Sequence, residues 1–328
     1  MQFGFWKATA LAAVAGVMVM TSHAQPQGEY RILRTIALGG EGSWDYLRFD
    51  PEGRRLFIAR SSRVMVVDLE HGKLAGEIPD TAGVHGVALV PEIHRGVTSN
   101  GKANTATVFD LGSLKSIATV VTGEKPDAIL WDPFSKAVLT MNGHSNSITI
   151  LDPESAKVLG TIALPGRPET AVSDERGKIF VNLEDKGQIA EVDISKRAVL
   201  GAWDLAGCTE PTGLAIDLRD HAHKRLFSAC HSGVLMVVDA ESGKVVQKLP
   251  IGNGVDAAAF DPATQTVFTS NGEGSISVIQ QSDADSYRIL ATIKTLPGAK
   301  TMAIDPDRHR IYTVANQNGQ FVLLEIGR

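Results

Sequence analysis

Seven short apolar runs, each ending at an Asp or its equivalent, recur along the chain at nearly even intervals. They are LRFDP at Asp50, ALVP at Val90, ILWDP at Asp132, AVSD at Asp174, AIDL at Asp217, AAFDP at Asp261 and MAIDP at Asp305. Successive spacings are 40, 42, 42, 43, 44 and 44 residues. A second series falls inside the units: VVDLEHGK, VFDLGSLK, ILDPESAK, EVDISKR and VVDAESGK. Each unit therefore reads as four short strands, rich in Val, Ile and Thr and broken by Gly, Asp and Asn, which is a β pattern and not a helical one. A period of ~40–45 residues with four strands is the size of a propeller blade. One blade cannot bury both of its faces, but a ring of blades can.

The repeat also predicts how the ring closes. The last unit has strands only as far as IYTVANQNGQFVLLEI, and the N-terminal YRILRTIAL looks like a fourth strand with none before it. Pairing the two would leave no open radial edge. The expected fold is all-β, a seven-bladed β-propeller of four-stranded blades, closed by the N-terminal strand on the C-terminal blade. A closed ring hides its own core, so a monomer is expected.

The first residues read differently. Lys7 precedes the apolar run ATALAAVAGVMVM, and TSHA then sets Ser22 and Ala24 at the small-residue positions of a signal-peptidase site. The expectation is a signal peptide over 1–24 and a single propeller domain over 25–328, hence a periplasmic or secreted protein. The run is shorter than the ~20 residues a bilayer span requires, so no membrane anchor is expected. Removing the signal takes one base and no acid from 32 basic and 37 acidic residues, leaving a net charge near −6. No nucleic-acid partner is expected from that balance.

LDPESAKVLGTIALPGRPETAVSDERGKIFVN (151–182) resembles the repeat of the YVTN-type, or YncE-like, β-propellers, and IYTVAN and VFTSN match its strand-two ends. The resemblance runs over about residues 30–328. It implies an exported bacterial propeller related to quinoprotein-like and lactonase-like ones, without implying one common activity. The paired Gly-His and Trp-Asp of the WD40 repeat are absent.

In such a ring the loops from strand four to strand one, and from strand two to strand three, share one face, here called the top. The residue five before each anchor opens the central channel there. The set is Asp45, His85, Asp127, Glu169, Thr212, Asp256 and Lys300. Converging carboxylates repel unless a cation, a proton or a basic group joins them. The ring is thus a candidate site for a divalent cation such as Ca²⁺, which suits oxygen ligands, or for a basic ligand. The bland alternative is a hydrated channel mouth. The ends of strand two form a second top-face column: Arg60, Asn100, Asn142, Asn182, His231, Asn271 and Asn316. Asn suits turns, so Arg60 and His231, which break the column, are the ligand candidates, with His144 beside them. His221 and His223 fall in a bottom-face hairpin.

Cys208 and Cys230 flank neighbouring strands of one blade, and export permits their oxidation, so a disulfide is expected. No haem motif, phosphate loop, Gly-x-Ser-x-Gly or His-Glu-x-x-His occurs. The leading functional expectation is a binding or scaffold module that takes a peptide, protein or small ligand on its top face. The alternative is a metal-assisted, lactonase-like hydrolase at the channel mouth, built on the ring acids with His85 and Lys300.

Overall fold

The structure, a computed structural model, describes residues 1–4 and 29–328. Residues 5–24 of the expected signal peptide lie outside the described residues. The ring consists of seven four-stranded antiparallel sheets. Blade 1 runs from Leu47–Asp50 at the channel through Arg55–Arg60 and Arg63–Asp68 to Lys73–Ile78 at the rim. The innermost strands of blades 2 to 7 are Val84–Val90, Pro126–Asp132, Pro168–Ser173, Pro211–Asp217, Val255–Asp261 and Met302–Asp305. The outermost strand of blade 7 is the N-terminal Arg31–Ala37, antiparallel to Gln320–Gly327. No helix among the described residues is long and apolar enough to cross a membrane.

The apolar runs explain the layering. Strands two and three of a blade are covered on both faces by the neighbouring blades. They carry near-continuous hydrophobic stretches, such as the fully buried Ala137–Asn142 and Arg225–Cys230. Rim strands have one dry side chain in several: Ile36, Ile78 and Ile162 are buried while their neighbours face solvent.

The repeated Asp residues are structural. At the end of strand three, Asp68, Asp110, Asp152, Asp193 and Asp239 accept backbone N–H groups from the turn that follows. The chain then passes through a left-handed residue before the rim strand. Gly72 and Gly243 take that position without strain, but Leu114, Ala156 and Arg197 occupy it in the other three turns. The Asp cap holds a conformation that those three side chains disfavour.

Candidate functional site

The inner strands bring the residues five before the anchors to the top of one channel, and they do not behave alike. His85 Nδ1 lies between two carboxylates, 2.6 Å from Asp45 Oδ2 and 3.3 Å from Asp127 Oδ1. Ligand atoms of these three residues all fall within 4.8 Å of one another. Lys125 Nζ stands 3.7 Å from the other oxygen of Asp127. Lys300 pairs with Asp256. Gly101 makes room for the imidazole: a Cβ there would sit 2.6 Å from His85 Cδ2.

Burial governs the protonation of this cluster. It raises the Asp45 carboxyl above the usual range against the pull of the His85 hydrogen bond. It raises Asp256 likewise, against Lys300. Burial opposes a charged His85, but the Asp45 hydrogen bond and the Asp127 charge outweigh it, and the imidazole pKa is raised. Glu169 is pushed well above the usual carboxylate range, first by burial and then by Asp127. Burial thus favours the neutral form of these carboxyls, Glu169 most of all.

Sequence reasoning missed the residue that closes the mouth. Tyr46 Oη donates to Glu169 Oε1 at 2.6 Å and lies 3.3 Å from Thr170 Oγ1. Tyr46 belongs to blade 1 and Glu169 to blade 4. Blades that far apart in a ring of seven meet only across the channel, so this bond bars it. The repeat carried the signal. Four residues before each anchor, the other six blades have Gly86, Ala128, Thr170, Gly213, Ala257 and Thr301, all small. One tyrosine among them has room to span the lumen.

Two sequence candidates leave the site. Thr212 is turned into the wall, where its hydroxyl donates to the Val255 carbonyl at 2.7 Å, so it is not a mouth ligand. Arg60 is 1% exposed and lies 3.6 Å over the Phe321 ring, with Nη2 donating to Gly40 O at 2.8 Å. It fills the joint between the first and last blades and faces no ligand. Asn100, Asn142 and Asn271 are buried strand residues whose amides donate to hydroxyls of the next strand, Thr107, Thr149 and Ser277 among them. Asn182 instead reaches Gly213 O at 3.1 Å in the next blade. Asn316 is the exposed asparagine of that column. His144 is exposed and lines, with His85, Lys102 and Lys125, an open depression of about 410 Å³ beside the ring. His231 is also exposed on this face. His223 is held by Asp220 in its hairpin at 2.7 Å. The Cys208 and Cys230 sulfurs are bonded, with Cα atoms 5.5 Å apart.

No family model and no curated protein matches the chain. Among solved structures it is similar to Kuenenia stuttgartiensis hydrazine synthase, with 16% identity and a TM-score of 0.74 over 85% of this chain and 94% of that one. At that identity the likeness shows the fold and carries nothing about chemistry.

Proposed function

We propose that the protein is a binding module whose top channel mouth takes a cation: a divalent metal ion, or the basic head of a peptide or small molecule. The observation that carries this reading is the convergence of Asp45, His85 and Asp127 within 4.8 Å, with Glu169 and Asp256 on the same rim. Two carboxylates and an imidazole suit Zn²⁺ or Mn²⁺ better than Ca²⁺, which asks for six or more oxygens. Ligand atoms sharing a metal at ~2.0–2.2 Å stand roughly 3.0–3.4 Å apart. The His85–Asp127 separation of 3.3 Å already fits, and the 2.6 Å His85–Asp45 hydrogen bond would open slightly as its proton leaves.

The experiment is metal analysis of the mature protein, with titration calorimetry of Zn²⁺, Mn²⁺, Ca²⁺ and a Lys-rich peptide. One equivalent of bound cation, lost in Asp127→Asn, supports the reading. Wild type that binds none of the four sinks it.

Export and membership of the YVTN-type family belong to the same proposal. The leader-like start, the repeat spelling and the Cys208–Cys230 bond support them, and the mass of the mature N-terminus tests export. A hydrolase reading rests on the same triad, where a metal would activate the water: His85 Nδ1 is already engaged between Asp45 and Asp127 and is not free to act as the general base. Metal-dependent lactone hydrolysis abolished by Asp127→Asn would favour it over simple binding.

A further inference from the structure

Below the Tyr46–Glu169 bar the channel carries a charge that the mouth does not use. Arg48, in the inner strand Leu47–Asp50, follows Tyr46 by two residues, about 6.6 Å further along an extended chain. At its place in the repeat the other blades have Ala88, Leu130, Val172, Ala215, Ala259 and Ala303. The strand registers agree: Arg48 pairs with Phe57, Ala88 with Val97 and Ala259 with Phe268. At its own level in the ring the guanidinium thus stands among small and aliphatic residues.

Three cavities meet there. One of about 100 Å³ lies under the bar, against Tyr46, Gly86, Ala128 and Thr170. A second, of about 350 Å³, lies against Ala259, Met302, Ile304 and Pro306. The third, of about 200 Å³, reaches the bottom loops at Pro51, Pro91 and Trp131. Arg48 is the one residue common to all three. It is solvent-accessible within the lumen yet enclosed by protein, and that enclosure lowers its pKa.

Among the described residues no carboxylate pairs with it directly, although Glu52 and Glu92 line the lowest of the three cavities. The carboxylate that acts on it is Asp50, and Asp50 is already engaged. Its Oδ2 accepts Arg55 Nε and Nη2 at 2.9 and 2.8 Å, and its Oδ1 accepts the Gly53 N–H at 3.1 Å. Among the described residues Arg48 forms no hydrogen bond or ion pair of its own. A guanidinium with no partner among the described residues leaves its fork open, and that fork matches a carboxylate in a bidentate pair.

We infer that the lower channel binds a small aliphatic monocarboxylate, its carboxylate on Arg48 and its alkyl chain along the Ala- and Leu-lined wall. One guanidinium balances one negative charge, which disfavours a phosphate dianion. The bar separates the site from the acidic mouth, so the ligand enters from the bottom face. This site is independent of cation binding above the bar.

The test is calorimetry on the mature protein with hexanoate, hexylamine and inorganic phosphate. Hexanoate should bind, and Arg48→Met should weaken it at least tenfold while Arg48→Lys falls between. In wild type, the Arg48 Nε–H resonance should shift on adding hexanoate, a readout that needs no variant. Four results would each overturn the inference: no hexanoate binding, equal binding by hexylamine, equal binding by phosphate, or full hexanoate affinity in a folded Arg48→Met protein.

Discussion

Tyr46 and Glu169, 123 residues apart in sequence, are joined by a 2.6 Å hydrogen bond that crosses the channel from the first blade to the fourth. The bond fixes the boundary between an acidic mouth and a lower lumen with a lone Arg48. It also places a carboxyl group where burial and Asp127 hold its pKa well above the usual range.

A pH dependence follows from Glu169. The unfolded chain ionises this group in the ordinary glutamate range, while the folded protein keeps the proton to higher pH. Stability is therefore unaffected at low pH and falls as pH rises from the unfolded pKa towards the folded one. Glu169→Gln stays neutral throughout and still accepts the Tyr46 hydroxyl. Its melting temperature should equal that of wild type at pH 4 and exceed it by about 2 °C at pH 7. Melting curves at the two pH values check this, and a difference that does not grow with pH would count against a protonated Glu169.

Arg60 tests what a buried cation contributes to ring closure. Its guanidinium stacks on Phe321, Nε and Nη1 find no partner among the described residues, and burial pushes its pKa down to about 10. Arg60→Met keeps the packing and removes two unpaired donors, so it should stay within about 1 kcal/mol of wild type. Arg60→Ala leaves a cavity against Phe321 and should cost about 2–4 kcal/mol. Urea denaturation separates the two; a Met variant as unstable as the Ala one would mean that the charge, and not the volume, matters.

The blades were legible because each one reuses one pattern: an apolar run, an Asp cap, a turn and a β-branched run. Closure was legible because one end of the chain lacked the strand that the other end supplied. Within the mouth, offset from an anchor located Asp45, His85 and Asp127 together, since equivalent positions in a ring converge on its axis. The same offset misjudged Thr212, whose short hydroxyl found the Val255 carbonyl in the wall. It misjudged Arg60 too, because position in a column says nothing of Phe321, which arrives from the far end of the chain. Tyr46 and Arg48 stood out in their own columns as one large and one charged residue among small or apolar ones. What the columns did not reveal is that these two side chains turn into the lumen and that one of them crosses it.

The Cys208–Cys230 bond closes a segment with a separation of 22 residues. A loop of that size restricts the unfolded chain by about 3 kcal/mol. Replacing both cysteines by Ser should lower the melting temperature by roughly 5 °C without changing the β-sheet spectrum. Cys230 is fully buried and Cys208 nearly so. Mild reductant should therefore leave the native bond intact until the protein is partly unfolded, which thiol labelling along a denaturant series measures.

The N-terminal strand is the last prediction. It pairs with Gln320–Gly327 over Arg31 to Ala37, and its Ile36 is buried beneath the joint. Arg34 reaches Glu325 at 3.1 Å within blade 7 and the Leu69 carbonyl at 2.6 Å in blade 1. Tyr30 packs edge-on against Phe268 of blade 6, and the Arg328 guanidinium lies 4.3 Å over its ring. The strand thus satisfies the backbone edge of the final blade and covers apolar surface that three blades share. Ile36→Ala should cost about 2–4 kcal/mol. A chain beginning at Leu38 should expose that edge, melt lower and leave the monomer position in gel filtration. Adding a peptide of residues 29–38 should restore the monomer in a concentration-dependent way. A truncated chain that stays monomeric and melts with wild type would show that the ring holds without its closing strand.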